Sequence, residues 1–116
     1  MDLALVTSEH QGVPVLSVVG EVDLATIPKF RDALVRLASE HPGAAAVVDL
    51  DGVGVLDDTG LGVLLGAQRR LRAGGGELHV VASARRIVEL LAATRLDTLL
   101  PIHATLSQAL GVIRGA

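Results

Sequence analysis

Asp57, Asp58 and Thr59 stand in a row directly before Gly60-Leu61-Gly62, so two carboxylates and a hydroxyl meet bare backbone. Such a group suits the mouth of a helix. The first turn has unpaired N–H donors and the positive end of the macrodipole, which stabilise a carboxylate or a phosphate carried on a side chain. A cap of this kind contributes about 1 kcal/mol. Gly60 and Gly62 cost the helix roughly 1 kcal/mol each relative to alanine. Either tight packing against a neighbouring strand or the close approach of a partner or an anion would require that bare backbone.

The flanking segments must place this junction. Residues 45–50 form a short apolar run suited to a strand covered on both faces. Asp51-Gly52 reads as a turn, and residues 53–56 as a second brief apolar segment leading into a helix whose Leu61, Leu64, Leu65 and Gln68 share a face. Arg69, Arg70 and Arg72 fall in its last turns, where cations favour the dipole. Upstream, residues 3–7 and 13–19 read as strands joined by a polar turn at 8–12, with Pro14 confined to a strand start or an edge. Residues 20–23 form a loop carrying Glu21 and Asp23. A helix follows from Thr26, with Ile27, Phe30, Leu34 and Leu37 on one stripe, Pro28 in its first turn and Pro42-Gly43 at its end.

Downstream, Gly74-Gly75-Gly76 turns into a strand at residues 78–82. Ser83 is the expected cap of a helix carrying Ile87, Leu90, Leu91 and Thr94. Arg85 and Arg86 lie at its unfavourable positive end, so acid partners are expected for them. Residues 99–102 read as a last short strand. Thr105 with Gln108 makes a capping box for a closing helix with Leu106, Ala109, Leu110 and Ile113 on one face. An antiparallel start followed by strand and helix alternation predicts an α/β sandwich.

Composition narrows the function. The 116 residues fit one domain, spanning 1–116. Half of them are apolar, yet Phe30 is the only aromatic, so the core must be aliphatic. A net charge of −3 gives no electrostatic footprint for nucleic acid, and no aromatic platform is available for bases. The chain has no cysteine, hence neither disulfides nor thiolate metal sites. No apolar run approaches the roughly 20 residues that span a bilayer, and the first residues are acidic where a signal peptide is basic. A cytoplasmic protein that binds neither membrane nor nucleic acid is expected. His10, His41, His79 and His103 lie on separate elements without ligand spacing, each reading as a surface or strand-face residue, so no metal is expected. No cofactor is expected either. Gly60 to Gly66 lacks the spacing of a dinucleotide loop, and Asp57 and Asp58 would repel a phosphate there.

Asp57-Asp58-Thr59-Gly60-Leu61-Gly62-Val63-Leu64-Leu65-Gly66 resembles the signature of the STAS domain. The match is to the single-domain anti-sigma-factor antagonists of bacteria, whose usual form is Asp-Ser-Ser/Thr-Gly-Leu-Gly. Gly20-Glu21-Val22-Asp23, the helix from Thr26 and Gly74-Gly75-Gly76-Glu77-Leu78 resemble further family blocks, so the likeness covers nearly the whole chain. It implies a STAS-type sandwich, a mixed β-sheet of about five strands with about four helices. It also implies a binding module without enzymatic activity, a monomer or weak dimer. In the family the unmodified antagonist captures an anti-sigma factor with a histidine-kinase-like ATPase domain, and phosphate at the helix mouth prevents capture. The implied partner-binding residues are Glu21, Asp23, Asp57, Asp58, Thr59, Gly60, Leu61 and Gly62.

One departure matters. The serine that the family phosphorylates is here Asp58, which cannot accept phosphate from a serine kinase and carries a charge resembling the modified state. Thr59, which matches the family's second Ser/Thr and is not the usual acceptor, is the candidate phosphorylation site that remains. Asp58 as an ordinary cap, with Thr59 in the first turn, is the purely structural reading. Where the family often has glycine after the third helix this chain has Arg95, so a strained positive φ is expected there. A STAS scaffold or a transport-accessory subunit would use the same surface for a different protein. A phosphoaspartate receiver, suggested by Asp49, Asp51, Asp57 and Asp58, needs a late lysine, and the only lysine is Lys29.

Overall fold

The computed structural model describes residues 2–115. Five strands form one sheet in the order β1-β2-β3-β4-β5. β1 (Leu3–His10) and β2 (Val13–Val22) are an antiparallel hairpin, and β3 (Ala45–Leu56), β4 (Glu77–Val81) and β5 (Ile102–His103) follow in parallel. The hairpin turn is shorter than the polar run suggested. Residues 8–10 stay paired, and only Gln11 and Gly12, both at positive φ, make the turn.

α1 (Ile27–Glu40), α2 (Asp58–Ala73) and α3 (Arg85–Ala93) connect successive parallel strands. Such crossovers are right-handed, and strands taken in order place all three helices on one face. The main core lies there, built on Phe30, Leu34, Leu50, Leu64, Leu78 and Leu91. α4 (Leu106–Gly115) covers the other face over Val13, Val15, Val47 and Val81. Thr105 caps it as expected, its hydroxyl accepting the Gln108 N–H at 3.1 Å. Consecutive strand order after a hairpin also differs from the 2-1-3-4-5 order of receiver domains. Lys29 ties α1 to the start of β1, its Nζ donating to the Leu3 carbonyl at 2.8 Å.

Several local expectations are corrected. Asp51-Gly52 is no turn: β3 runs unbroken through it, because Gly52 lets β2 come close. A Cβ there would lie 2.7 Å from Val19 Cγ2, and the β2–β3 register shifts at this point. Asp51 instead accepts the Ser83 N–H and hydroxyl at 2.9 and 2.8 Å. Ser83 is thereby taken up, and the residue before α3 is Ala84, which offers no side-chain cap. Gly20, Glu21 and Val22 belong to β2 rather than to a loop. Of the two arginines opening α3, Arg85 pairs with Glu89 at 2.9 Å, while Arg86 donates to the Gly54 carbonyl at 2.8 Å. A 3-10 turn (Leu96–Thr98) precedes a shorter β5 than the expected strand at 99–102. Arg95 does take the left-handed conformation, with φ 61°.

Candidate functional site

The parallel ends of β2 and β3 set the main chain around Val22 beside that of Asp57. Glu21 pairs with Val55 and Val22 with Leu56, and the Asp57 N–H then donates to the Val22 carbonyl at 3.1 Å. The main chain at Val22 therefore borders the entry to α2, and the Val22 side chain packs beneath Gly60. Asp23 organises its own loop: its Oδ1 accepts the N–H groups of Ala25 and Thr26 at 3.0 and 3.2 Å. The buried Thr26 hydroxyl donates to the Glu21 carbonyl at 2.7 Å, locking the end of β2 to the start of α1. Leu24, between these anchored residues, is 77% exposed. An isolated leucine in a loop gives no periodic signal in sequence, and only the fold shows that it is left exposed.

Asp57, not Asp58, caps α2. Its φ of −92° and ψ of 176° keep it outside the helix, and its Oδ1 accepts the Gly60 N–H at 3.2 Å. The same oxygen accepts the Thr59 hydroxyl at 2.6 Å. That hydroxyl, with help from the Gly60 and Thr59 backbone, holds the Asp57 carboxyl below its ordinary value, and burial opposes only in part. Asp58 is the first helical residue, exposed, and among the described residues no hydrogen bond or ion pair engages its side chain. Its charge is presented to solvent.

The glycines of the signature divide. A Cβ on Gly60 would sit 2.7 Å from Leu56 and 2.8 Å from Val22, so packing on the two strand ends excludes a side chain. Leu61 is likewise core, 5% exposed. Gly62 is exposed, and a Cβ there would meet nothing within 4 Å. Bare backbone is needed for packing at Gly60 and not at Gly62.

Two histidines that sequence spacing kept apart come together elsewhere. His79 Nδ1 and His103 Nε2 lie 3.0 Å apart on neighbouring strands, and of the two expected settings His79 takes the strand face, where it is buried. Only strand order and register could reveal this pair. Burial lowers both pKa values. Among the described residues no group of three or more His, Cys, Asp and Glu side chains could hold a metal ion. No helix of the described residues is long and apolar enough to cross a membrane.

A five-stranded mixed sheet with three helices on one face and an acidic helix mouth at the parallel strand ends is the architecture of a STAS domain. The family model described as the STAS domain matches residues 4–109, and the chain belongs to that family. The anti-sigma-B factor antagonist of Bacillus subtilis is 33% identical over 77% of this chain and 80% of its own length. The anti-sigma-F factor antagonist RsfB of Mycobacterium tuberculosis is 31% identical over 97% of this chain and 91% of its own. A crystal structure of an anti-sigma factor antagonist from Mycobacterium paratuberculosis superimposes with a TM-score of 0.89 at 32% identity, covering 97% of this chain and 95% of that one.

Proposed function

We propose that this chain is a cytoplasmic, single-domain anti-sigma-factor antagonist without catalytic activity. It captures a histidine-kinase-like anti-sigma factor through the mouth of α2 and so governs sigma-factor-dependent transcription. The observation that carries the reading is the geometry of Asp57 to Thr59: one acid consumed in capping, the next free and solvent-facing at the family's switch position. Glu21 and Asp23 stand in the neighbouring β2–α1 segment, and Leu24 there adds an exposed apolar anchor of the kind that fills a partner's pocket.

A fixed carboxylate at position 58 removes the usual switch. Phosphate would have to go to Thr59, whose hydroxyl must first leave Asp57 and would then carry charge beside two carboxylates. Regulation by phosphorylation at this mouth is therefore disfavoured, and Asp58 sets the affinity permanently.

Calorimetric titration of the kinase-type anti-sigma factors of the source organism into wild type, Asp58→Ser and Asp58→Ala tests this. Tighter capture by both variants identifies a chain held in the low-affinity, phosphate-like state. Weaker capture identifies a partner adapted to the acid by a cation of its own. Incubation with the kinase-type anti-sigma factor, ATP and magnesium followed by mass spectrometry should leave the wild-type mass unchanged and give Asp58→Ser a phosphate. No complex with any anti-sigma factor, in any of the three forms, refutes the reading.

A further inference from the structure

A groove between α1 and α2 continues from the helix mouth. It encloses about 270 Å3 and is lined by Arg31 and Val35 of α1 and by Thr59, Gly62, Gly66 and Arg70 of α2. The α2 residues recur at three or four positions, so they share one face. At Gly62 and Gly66 alanine would favour the helix, and a Cβ would meet nothing within 4 Å at either. Packing within the chain does not account for these glycines.

The charges of the groove point to its occupant. Arg31 and Arg70 are exposed and, among the described residues, neither has an acid within ion-pair distance, whereas Arg36, Arg72 and Arg85 each have one. Both helices cross over between parallel strands and run the same way. Arg31 therefore lies toward the Thr59 end and Arg70 at the other. Thr59 to Arg70 spans about 16 Å at the helical rise, close to three turns. An apolar trough of this length with a cation near each end is complementary to an amphipathic helix bearing carboxylates.

We propose that the groove receives a helix of the anti-sigma factor, its apolar stripe against Gly62 and Gly66 and its carboxylates paired with Arg31 and Arg70. This rests on the partner class proposed above and extends the contact from the mouth along α2. Without Cβ atoms the incoming backbone approaches closely. The change from an acidic mouth to a basic groove fixes the direction in which that helix lies.

The test is titration of the histidine-kinase-like anti-sigma factor captured by wild type into Gly66→Leu, Arg31→Glu and Arg70→Glu. Gly66→Leu fills the groove at a position where a Cβ meets nothing within 4 Å, and a melting temperature no lower than that of wild type separates lost binding from unfolding. Each variant should bind about tenfold or more weakly. The Gly62 and Gly66 amide resonances of labelled wild type should also shift in the complex. A wild-type complex that Gly66→Leu leaves unchanged overturns the groove and spares the functional reading. Absence of any complex with wild type, Asp58→Ser or Asp58→Ala overturns both. If Gly66→Leu abolishes self-association of the chain in sedimentation and leaves anti-sigma binding intact, the groove holds a second copy and the inference is overturned.

Discussion

Thr59 gives its hydroxyl to Asp57, and the carboxylate so held is the one that closes α2. Asp57→Ala should cost about 1 kcal/mol in urea unfolding, the usual worth of a helix cap. Asp58→Ala should cost less, since Asp58 offers only its favourable position in the dipole. Because the Asp57 carboxyl titrates below its ordinary value, its stabilisation is present above the unfolded value and disappears as pH falls through the lower folded one. Thr59→Val should raise the Asp57 carboxyl toward its ordinary value in an NMR titration of side-chain carbons. An unchanged titration would mean that the backbone amides hold it instead. Residue types announced a capped mouth, but not which acid caps it, because that depends on the chain entering in an extended conformation at Asp57. At Arg95 sequence and structure agree on a left-handed residue bearing a side chain. Arg95→Gly should stabilise the fold by about 0.5 kcal/mol, the relieved strain slightly exceeding the entropy that glycine adds to the unfolded chain.

At the level of elements, periodicity showed where α1, α2 and α4 lie, because each needs an apolar stripe toward the sheet. What it left out are contacts between elements. Gln68 falls on the buried stripe of α2 at 2% exposure, a polar residue among leucines. Its Oε1 accepts the Leu78 N–H at 2.7 Å and its Nε2 donates to the Leu99 carbonyl at 2.8 Å. One side chain thus joins α2 to β4 and to the turn before β5. Gln68→Leu keeps much of the volume but leaves two main-chain groups without partners, and should cost about 2–3 kcal/mol in equilibrium unfolding. A loss under about 0.5 kcal/mol would show that those groups find other partners. The same blindness explains Asp51 and Ser83, which look like turn and cap residues in isolation and meet only through the fold. It also explains Gly52, whose reason lies in β2 rather than in its own neighbours.

Across the whole molecule the two faces of the sheet are unequally filled. α1, α2 and α3 share the large aliphatic core, whereas α4 buries only Ala109 fully and rests on a small cluster of valines. On that face Val47 of β3, a member of the cluster, pairs with His79, and Val81 of the cluster pairs with His103. The two imidazoles share a hydrogen bond, which one ring donates and the other accepts, so a neutral or singly protonated pair keeps it and a doubly protonated pair cannot. Burial depresses both groups, and His79 is lowered further by His103 and supported weakly by Glu77, whose carboxylate is engaged by Arg72. Folded values below the unfolded one mean that the unfolded chain binds more protons. Stability is then level above the ordinary histidine value of about 6.5 and declines as pH falls below it, toward the folded values. Wild type should lose melting temperature between about pH 7 and about pH 5, and His79→Leu with His103→Leu should flatten that decline. Amide exchange should quicken in α4 and β5 before it does in α1 and α2, since the thinner layer opens first. Parallel melting curves for wild type and the double variant across this range would show that other groups carry the acid sensitivity.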